Sequence, residues 1–573
     1  MGLITTNEAR CRDCYRCLRG CAVKAIRFSA GDQQGALHAR VIDELCVHDA
    51  RCVLSCPQRA KKVASNLEQV RHMLKQGKTL IAGVAPSFVA GMPLEDPGKM
   101  PALLRRLGFA RVQETSLGAG LVAGEYRRLG FNRPFIDSSC PVVVNLVEIY
   151  FPDLLPLLAP VVSPMIAHGR YLKKAYPGCL TVFIGPCVAK KAEARTGGIN
   201  DAINYVLGFD EVWEWAREEG IDPDSLSSVG FDGPRPGLAR LFPVEGGIIK
   251  SLQAEEVRDQ VSLSGLQNCI TFLTQMSRNR IDLPPLIMEL QACRGGCIDG
   301  PLSLCREQDI FTRRRKVMDF FRAGAPWRDE ADPAPELPPE LMRREYRDRR
   351  VDLPTPDENT IRQILAQTGK YDPGDELNCG ACGYDSCRDK AVAVHQGNAE
   401  VQMCIPYMRQ RAESTSNLVL AAMPNAVIMV DHGLIIKEVN PAAGRLLKCQ
   451  PRRMVGRRLD ELINPENFLK VIESGEMLNR LHTYHELDAI IREIIFPLER
   501  EKVVVGILVD ITSEKRQREQ LELIKGQTIA RAQEVLTKQM TVAQEIAGLL
   551  GETTAETKVL LSKLIDLMGK ESL

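Results

Sequence analysis

Thiolates are soft ligands for iron and zinc, and this chain holds 19 cysteines, of which all but Cys179, Cys269, Cys305 and Cys449 fall into tight motifs. Cys11, Cys14, Cys17 and Cys21 have the spacing C-x2-C-x2-C-x3-C, which lets one loop wrap three corners of a metal–sulfur cluster. Cys46, Cys52 and Cys56, the last followed by Pro57, form a second run in which Asp49 stands where a cysteine is expected. Three separated segments carry four more: Cys140 in Asp137-Ser138-Ser139-Cys140-Pro141, Cys187 in Pro186-Cys187-Val188-Ala189-Lys190, and the C-x3-C pair Cys293 and Cys297. These four serve one centre only if the fold gathers the segments. Cys379, Cys382, Cys387 and Cys404 make a last group, C-x2-C-x4-C-x16-C, with Gly380 and Gly383 permitting a tight loop and Cys404 closing the site from the far side. Zinc and a 4Fe–4S cluster both suit four thiolates there.

The first run resembles the bacterial ferredoxins, whose fourth cysteine ligates the other of two clusters. By that crossed pattern Cys11, Cys14, Cys17 and Cys56 would bind one 4Fe–4S cluster. Cys46, Cys52 and Cys21 would bind the second, with Asp49 at its fourth corner. A carboxylate is a harder and weaker ligand for this iron, so the expectation is a labile fourth iron: an Asp-ligated 4Fe cluster or a 3Fe–4S cluster. The alternative leaves Asp49 in contact with solvent only.

The cysteine segments of the central region, together with Val84-Ala85-Pro86-Ser87, Lys99-Met100, Leu107-Gly108-Phe109, Glu114-Thr115-Ser116, Tyr150-Phe151-Pro152-Asp153-Leu154-Leu155 and Ser163-Pro164, resemble the FeFe hydrogenases. The resemblance covers residues 1–325. It implies that Cys140, Cys187, Cys293 and Cys297 hold a 4Fe cubane and that Cys297 bridges to a di-iron unit bearing CO and CN ligands. Lys190 matches the lysine that hydrogen-bonds a cyanide, a charge-assisted contact. The departures bear on turnover. Ser139 stands where the family has the cysteine that donates protons, and a hydroxyl is a far weaker acid than a thiol. Ala159 replaces a relay serine, and Gly185 and Gln291 replace methionines. The glycine run after the last cysteine is Asp299-Gly300-Pro301. Glu125 and Glu193 align with relay glutamates, the bland reading being surface carboxylates. The implied site binds hydrogen but turns over slowly.

At ~150 residues per domain, 573 residues make roughly four domains. The boundaries follow composition: a ferredoxin-like cluster domain over 1–62; an α/β active-site domain over 63–325, where apolar runs such as Thr79–Ala85 and Leu286–Leu290 alternate with helical stretches; and a Pro- and charge-rich linker over 326–358. A small 4Fe–4S domain follows over 359–413, resembling one found in redox and corrinoid proteins. Residues 414–512 resemble a PAS α+β domain in Met423-Pro424-Asn425-Ala426-Val427, Val439-Asn440-Pro441-Ala442-Ala443 and Asp510-Ile511-Thr512. His482 and His485 could mark a cofactor there, the bland reading being surface polar residues, and Cys449 reads as a half-buried thiol. From 513 to 573 there is no proline, and Leu521, Ile524, Ile529, Ala532, Val535, Leu536, Val542 and Ile546 set the pattern of an amphipathic signalling or dimerisation helix.

Lys+Arg is 74 against Asp+Glu 73, so the charge makes no case for nucleic acid or an anionic membrane as partner. Met1–Arg10 lacks an apolar core, and Leu418–Val430 is too short and, at Pro424, too broken to span a bilayer. The expected location is the cytoplasm. The expected class is a multidomain α/β iron–sulfur protein of FeFe-hydrogenase type. It acts on dihydrogen or protons, passes electrons through 4Fe–4S clusters to the PAS domain, dimerises through PAS and helix, and signals to a separate protein. The competing expectations are a catalytic hydrogenase with a ferredoxin-like electron partner and an electron-transfer scaffold lacking the di-iron unit.

Overall fold

A computed structural model describes residues 2–30, 37–253, 259–279, 284–324, 336–499, 502–550 and 555–570. The first ten residues of the expected linker, 326–335, and the stretches 551–554 and 571–573 of the expected C-terminal helix lie outside the described residues. The chain divides into two compact units, Met1–Met408 and Arg409–Leu573.

In the first unit the two N-terminal cysteine runs fold as a repeated motif. Ile4–Thr6 pairs antiparallel with Lys61–Val63, and Ile26–Ala30 with Leu37–Val41. Each run turns through left-handed residues into a one-turn helix: Asp13 and Tyr15 lead into Arg16–Arg19, and His48 and Ala50 into Arg51–Leu54. The register that carries Asp13 to His48 and Tyr15 to Ala50 carries Cys11 to Cys46, Cys17 to Cys52 and Cys21 to Cys56. It also carries Cys14 to Asp49. Non-glycine residues with positive φ cost energy, so their repetition marks two loops held to one shape.

Two parallel sheets build the middle of the unit. One has the order Arg111–Glu114, Leu80–Val84, Leu180–Gly185, Tyr205–Gly208. The other has the order Asp259–Ser264, Leu286–Gln291, Phe135–Ile136. Leu80–Val84 is buried throughout, as a strand covered on both faces must be. Helices Ser116–Leu129 and Pro164–Ala175 pack together, and the core around them includes Leu80, Val84, Val122, Ile166 and Ile184. In such sheets ligands collect at the carboxyl ends of the strands. Leu80–Val84 runs into Ala85–Ser87, Phe135–Ile136 into Ser139 and Cys140, Leu180–Gly185 into Cys187, and Leu286–Gln291 into Cys293.

The described part of the linker is a strap. After the helical turn Pro339–Met342 it lies along the α/β core, with Val162 N–H donating to Met342 O at 2.8 Å and Arg349 N–H to Glu148 O at 2.9 Å. The 379–404 segment folds around helices Glu358–Ala366 and Cys387–His395, the latter opened by Ser386 in a capping box with Asp389. Tyr384 and Met403 share a core with Leu18 of the first cysteine run, and Arg19 donates to Ala381 O (3.0 Å) and Cys14 O (3.2 Å).

Helix Ile405–Ala422 carries the chain into the second unit. There five antiparallel strands are ordered Ile436–Val439, Ala426–Asp431, Val503–Asp510, Ala489–Leu498, Leu478–Tyr484. The apolar face of the sheet closes on helix Glu466–Ser474, and a Cβ on Gly506 would collide with the Phe468 ring. Helices Thr512–Leu550 and Ala555–Lys570 follow, the first exposing Leu521, Ile524, Ile529, Val535, Val542 and Ile546. Among the described residues no helix is long and apolar enough to cross a membrane.

Candidate active site and cluster sites

The strand ends meet around one cavity, lined by Ser139, Cys140, Cys187, Lys190, Cys293 and Cys297 among others. The fold therefore gathers the four cysteines that sequence left on three segments. Burial raises the pKa of all four thiols, and their mutual charge adds to it: Cys187 is pushed up to about 11, and Cys140, Cys293 and Cys297 also rise. Thiols so placed become thiolates when a metal compensates them. Four buried polar atoms on the cavity wall have no hydrogen-bond partner among the described residues: Ser87 Oγ, Thr115 Oγ1, Ser139 Oγ and Gln291 Oε1. A cavity lined both by four thiols and by unsatisfied donors and acceptors fits a cubane with an adjoining polar group.

Lys190 Nζ, at the cavity wall, donates to Ser139 O (3.3 Å) and Glu193 Oε2 (2.8 Å). Glu193 sits behind it and also accepts from Ser163 Oγ (3.0 Å) and Arg344 Nη1 (2.9 Å). Gly185 is hemmed in: a Cβ there would lie 2.7 Å from Phe183 Cε1, so the Phe183 ring takes the space beside it. Gly296, at φ 102°, lies against Pro243 O and Gln291 Oε1, leaving no room for a side chain between Cys293 and Cys297.

Glu125 is not brought to the cavity. It pairs with Arg128 on its own helix, Nε to Oε2 at 2.9 Å. The residue of that helix that reaches the first cysteine segment is Tyr126, fully buried, whose hydroxyl accepts from Ser138 N–H (2.9 Å) and lies 3.0 Å from Ser138 Oγ. Ala159 is buried with only its backbone bonded, to Ile136 O. Asp137 emerges as a further ionisable group: burial pushes it up to about 6, although it accepts from Ser139 N–H (3.0 Å) and Leu290 N–H (2.9 Å). A carboxylate at the end of an apolar strand was its sequence signal. Arg344 had none, being one arginine of many in a segment read as linker.

In the N-terminal motif Cys21, Cys46 and Cys52 lie close enough to one another and to Asp49 for each to perturb the next, while Cys17 is perturbed by Cys11 and Cys14. Cys56 Sγ accepts from Ala60 N–H at 3.3 Å. Burial raises the Asp49 pKa, and its Oδ2 has no hydrogen bond, the nearest cation being Arg51 Nε at 3.8 Å. Asp49 lines a cleft with Cys187 and Cys293, between the second run and the central cavity. Asp13 and His38 stand beside Cys11.

Cys379, Cys382, Cys387 and Cys404 line a separate cavity shared with Lys370 and Lys390. Lys370 Nζ lies 3.3 Å from Cys404 Sγ, and Lys390 Nζ donates to Val401 O at 2.8 Å. In the PAS sheet His482 packs its ring edge against Tyr484, with centroids 4.7 Å apart, and His485 is exposed. Cys449 is half-buried, which raises its pKa.

Residues 78–301 match the family model of the iron-only hydrogenase large subunit, C-terminal domain; residues 375–406 match an Fe–S cluster family and 415–482 a PAS family. Among curated proteins, the NADP-reducing hydrogenase subunit HndD of Solidesulfovibrio fructosivorans is 27% identical over 56% of this chain and 68% of its own length. Iron hydrogenase 1 of Clostridium pasteurianum is 24% identical over 52% of this chain and 64% of its own. The cytosolic Fe–S cluster assembly factor NAR1 of Kluyveromyces lactis is 35% identical over 13% of this chain and 16% of its own. The chain thus spans about two thirds of the length of each of these two hydrogenases. Among solved structures, an FeFe-hydrogenase, HydA(deltaEFG), is 19% identical, covering 50% of this chain and all of that one at a TM-score of 0.38. The PAS domain of nitrogen regulation protein NR(II) from Vibrio parahaemolyticus is 21% identical, covering 17% of this chain and 97% of that one at a TM-score of 0.15. With the hydrogenase model lying over the strand ends that gather Cys140, Cys187, Cys293 and Cys297, the chain is an FeFe-hydrogenase-like iron–sulfur protein that also carries an Fe–S cluster domain and a PAS domain.

Proposed function

We propose that the chain is a low-turnover hydrogen or redox sensor of the cytoplasm. In this reading Cys140, Cys187, Cys293 and Cys297 hold a 4Fe cubane, and Cys297 also faces a di-iron unit in the cavity. That group, when bound, supplies the redox chemistry of dihydrogen. Lys190 orients it by a charge-assisted hydrogen bond, and the apolar wall from Ala85, Phe183 and Phe242 keeps bulk water out. Cys21, Cys46 and Cys52 with Asp49 would hold a second cluster, Cys11, Cys14, Cys17 and Cys56 a third, and Cys379, Cys382, Cys387 and Cys404 a fourth, and these groups would supply one-electron transfer between the central cavity and the PAS domain. The PAS domain and the helices after it, as a homodimer, relay the change to a separate signalling protein.

The observation that carries the reading is Ser139. Its Oγ lies at the cavity wall with no hydrogen-bond partner, Ala159 offers none, and Glu125 is turned to Arg128. The ligands are complete while the proton path is broken, which suits detection better than turnover. Infrared spectroscopy of anaerobically matured protein supplied with the di-iron cofactor tests this. CO and CN bands that shift under hydrogen, with slow turnover, support the sensor; fast turnover supports a catalytic hydrogenase with a ferredoxin-like partner.

A second reading, an electron-transfer scaffold without the di-iron unit, is favoured by the Phe183 ring beside Gly185. Absent CO and CN bands with all cubanes loaded would establish it. The domain limits accompanying either reading are 1–62, 63–325, 326–358, 359–413, 414–512 and 513–573.

A further inference from the structure

Two lysine side chains are buried beside the four thiols of 379–404. Lys370 is 9% exposed and Lys390 7%. Lys370 Nζ is held by Thr368 O (3.2 Å) and Thr368 Oγ1 (3.0 Å) and points its remaining capacity at Cys404 Sγ, 3.3 Å away. Lys390 lines the same cavity as the four cysteines, its Nζ donating to Val401 O at 2.8 Å. Among the described residues neither ammonium has an ion pair with a carboxylate. Of the acidic side chains nearby, Asp389 caps its helix through Ser386, Glu376 faces Arg388 at 3.6 Å, and Asp375, which feels the Lys370 charge without an ion pair, accepts from the Tyr371 and Asp372 N–H groups (3.0 Å each). Buried unpaired cations are costly, so the cavity calls for an anion. A 4Fe–4S cluster on four thiolates is one, with a net charge of about −2 oxidised and about −3 reduced.

The other sites differ. Lys190 at the central cavity has an ion-pair partner, Glu193 at 2.8 Å, which it shares with Arg344. The N-terminal motif has one buried lysine for two cysteine sets: Lys61, bonded to Thr6 Oγ1 and Ala39 O, acts on both Cys17 and Cys52, and at Cys52 the Asp49 carboxylate opposes it. Net charge and hydrogen bonds to sulfur set cluster potentials. The more negative, reduced state gains most where positive charge is buried and uncompensated.

We infer that Lys370 and Lys390 make the 379–404 cluster the highest-potential cluster of the chain, and so its electron sink. This rests on the iron–sulfur part of the proposed function and deepens it by fixing the direction of the wire. The step is a one-electron transfer: an N-terminal cluster is oxidised by one electron and the 379–404 cluster reduced by one, with no bond made and no proton moved. The two lysines are positioning residues. Arg19, bonded to both Cys14 O and Ala381 O, marks the place where the two cluster sites adjoin.

The test is an EPR-monitored redox titration of the full-length, iron-loaded chain with dithionite, which needs no di-iron unit. The signal lost in Cys387→Ala identifies the site. In the unsubstituted chain that signal should have the highest midpoint. Lys370→Met and Lys390→Met should each lower it by at least the tenfold change in the one-electron equilibrium that corresponds to about 59 mV, and Lys370→Arg should restore most of the loss. A midpoint at or below those of the N-terminal clusters overturns the inference, as does a midpoint unmoved in both methionine variants. Loss of iron from both also overturns it, since a charge that only tunes potential leaves the site loaded. Zinc at this site in the unsubstituted chain would instead remove the last step of the proposed wire. The infrared result on the central cavity is independent of all these outcomes.

Discussion

Arg344 reaches from the strap to Glu193 across 151 residues of sequence, Nη1 to Oε1 at 2.9 Å, while Lys190 Nζ takes the other carboxylate oxygen at 2.8 Å. The Glu193 side chain is 1% exposed and the Arg344 side chain 7%. The ring of Tyr346 lies under the Arg344 guanidinium, 4.9 Å to its centroid, and its hydroxyl donates to Val161 O. The strap is thereby joined, through one carboxylate, to the lysine at the cavity wall. Removing one partner of a buried pair leaves an uncompensated charge, at a cost of about 3–5 kcal/mol. Arg344→Gln and Glu193→Gln should each destabilise the first unit by that amount, and the double variant should cost less than their sum. Urea unfolding followed by Trp213 and Trp215 fluorescence measures the cycle; strict additivity would show that the two side chains do not act as a pair.

Ser139→Cys should raise hydrogen turnover by roughly 10²–10⁴-fold, the usual worth of a positioned proton donor. Ser139→Ala should leave turnover unchanged. If the cysteine brings no gain, the serine is not the limiting defect, and the buried Asp137, which accepts from the Ser139 N–H, becomes the group to substitute next.

Asp49 occupies the structural position of Cys14 in the repeated motif and keeps one carboxylate oxygen without a hydrogen bond, close enough to Cys21, Cys46 and Cys52 to perturb each of them. Asp49→Cys should convert that cluster to a conventional cubane, visible by EPR together with a gain of one iron per chain. Spectra and iron content identical in Asp49→Ala and the unsubstituted chain would count against ligation.

His168 carries a pH dependence with a definite sign. Burial drives its pKa from 6.5 down to about 3, with Gln113 Oε1 at 3.2 Å from Nε2. Between those two values the unfolded chain binds a proton that the folded chain does not, so stability falls as pH drops from 6.5 toward 3. The folded state keeps its full advantage above pH 6.5. Unfolding free energies of the unsubstituted chain and His168→Gln, compared over that window, should converge as the pH falls; parallel curves would exclude His168 as the source.

The cysteine motifs were legible because their spacing is a local property. The cysteines of a loop such as 11–21 or 379–387 lie within a few residues of one another, so their order and spacing are written along the chain. Asp49 was legible for the same reason, as a break in a repeat. The α/β alternation and the PAS strands followed from burial, since Leu80–Val84 is apolar throughout and Ala489–Leu498 pairs with Val503–Asp510 in the C-terminal sheet. What sequence alone left open depends on contacts between distant segments. Cys140, Cys187, Cys293 and Cys297 become one set only because parallel strands bring their carboxyl ends to the same edge. Glu125 and Tyr126 are neighbours, yet a helix turns about 100° per residue, and packing of the buried Val122 and Ala123 sends Tyr126 inward and leaves Glu125 to Arg128. The Arg344–Glu193 and Lys370–Cys404 contacts pair residue types common on any surface. Their meaning comes from burial, and only the tertiary structure decides which charges lose their water.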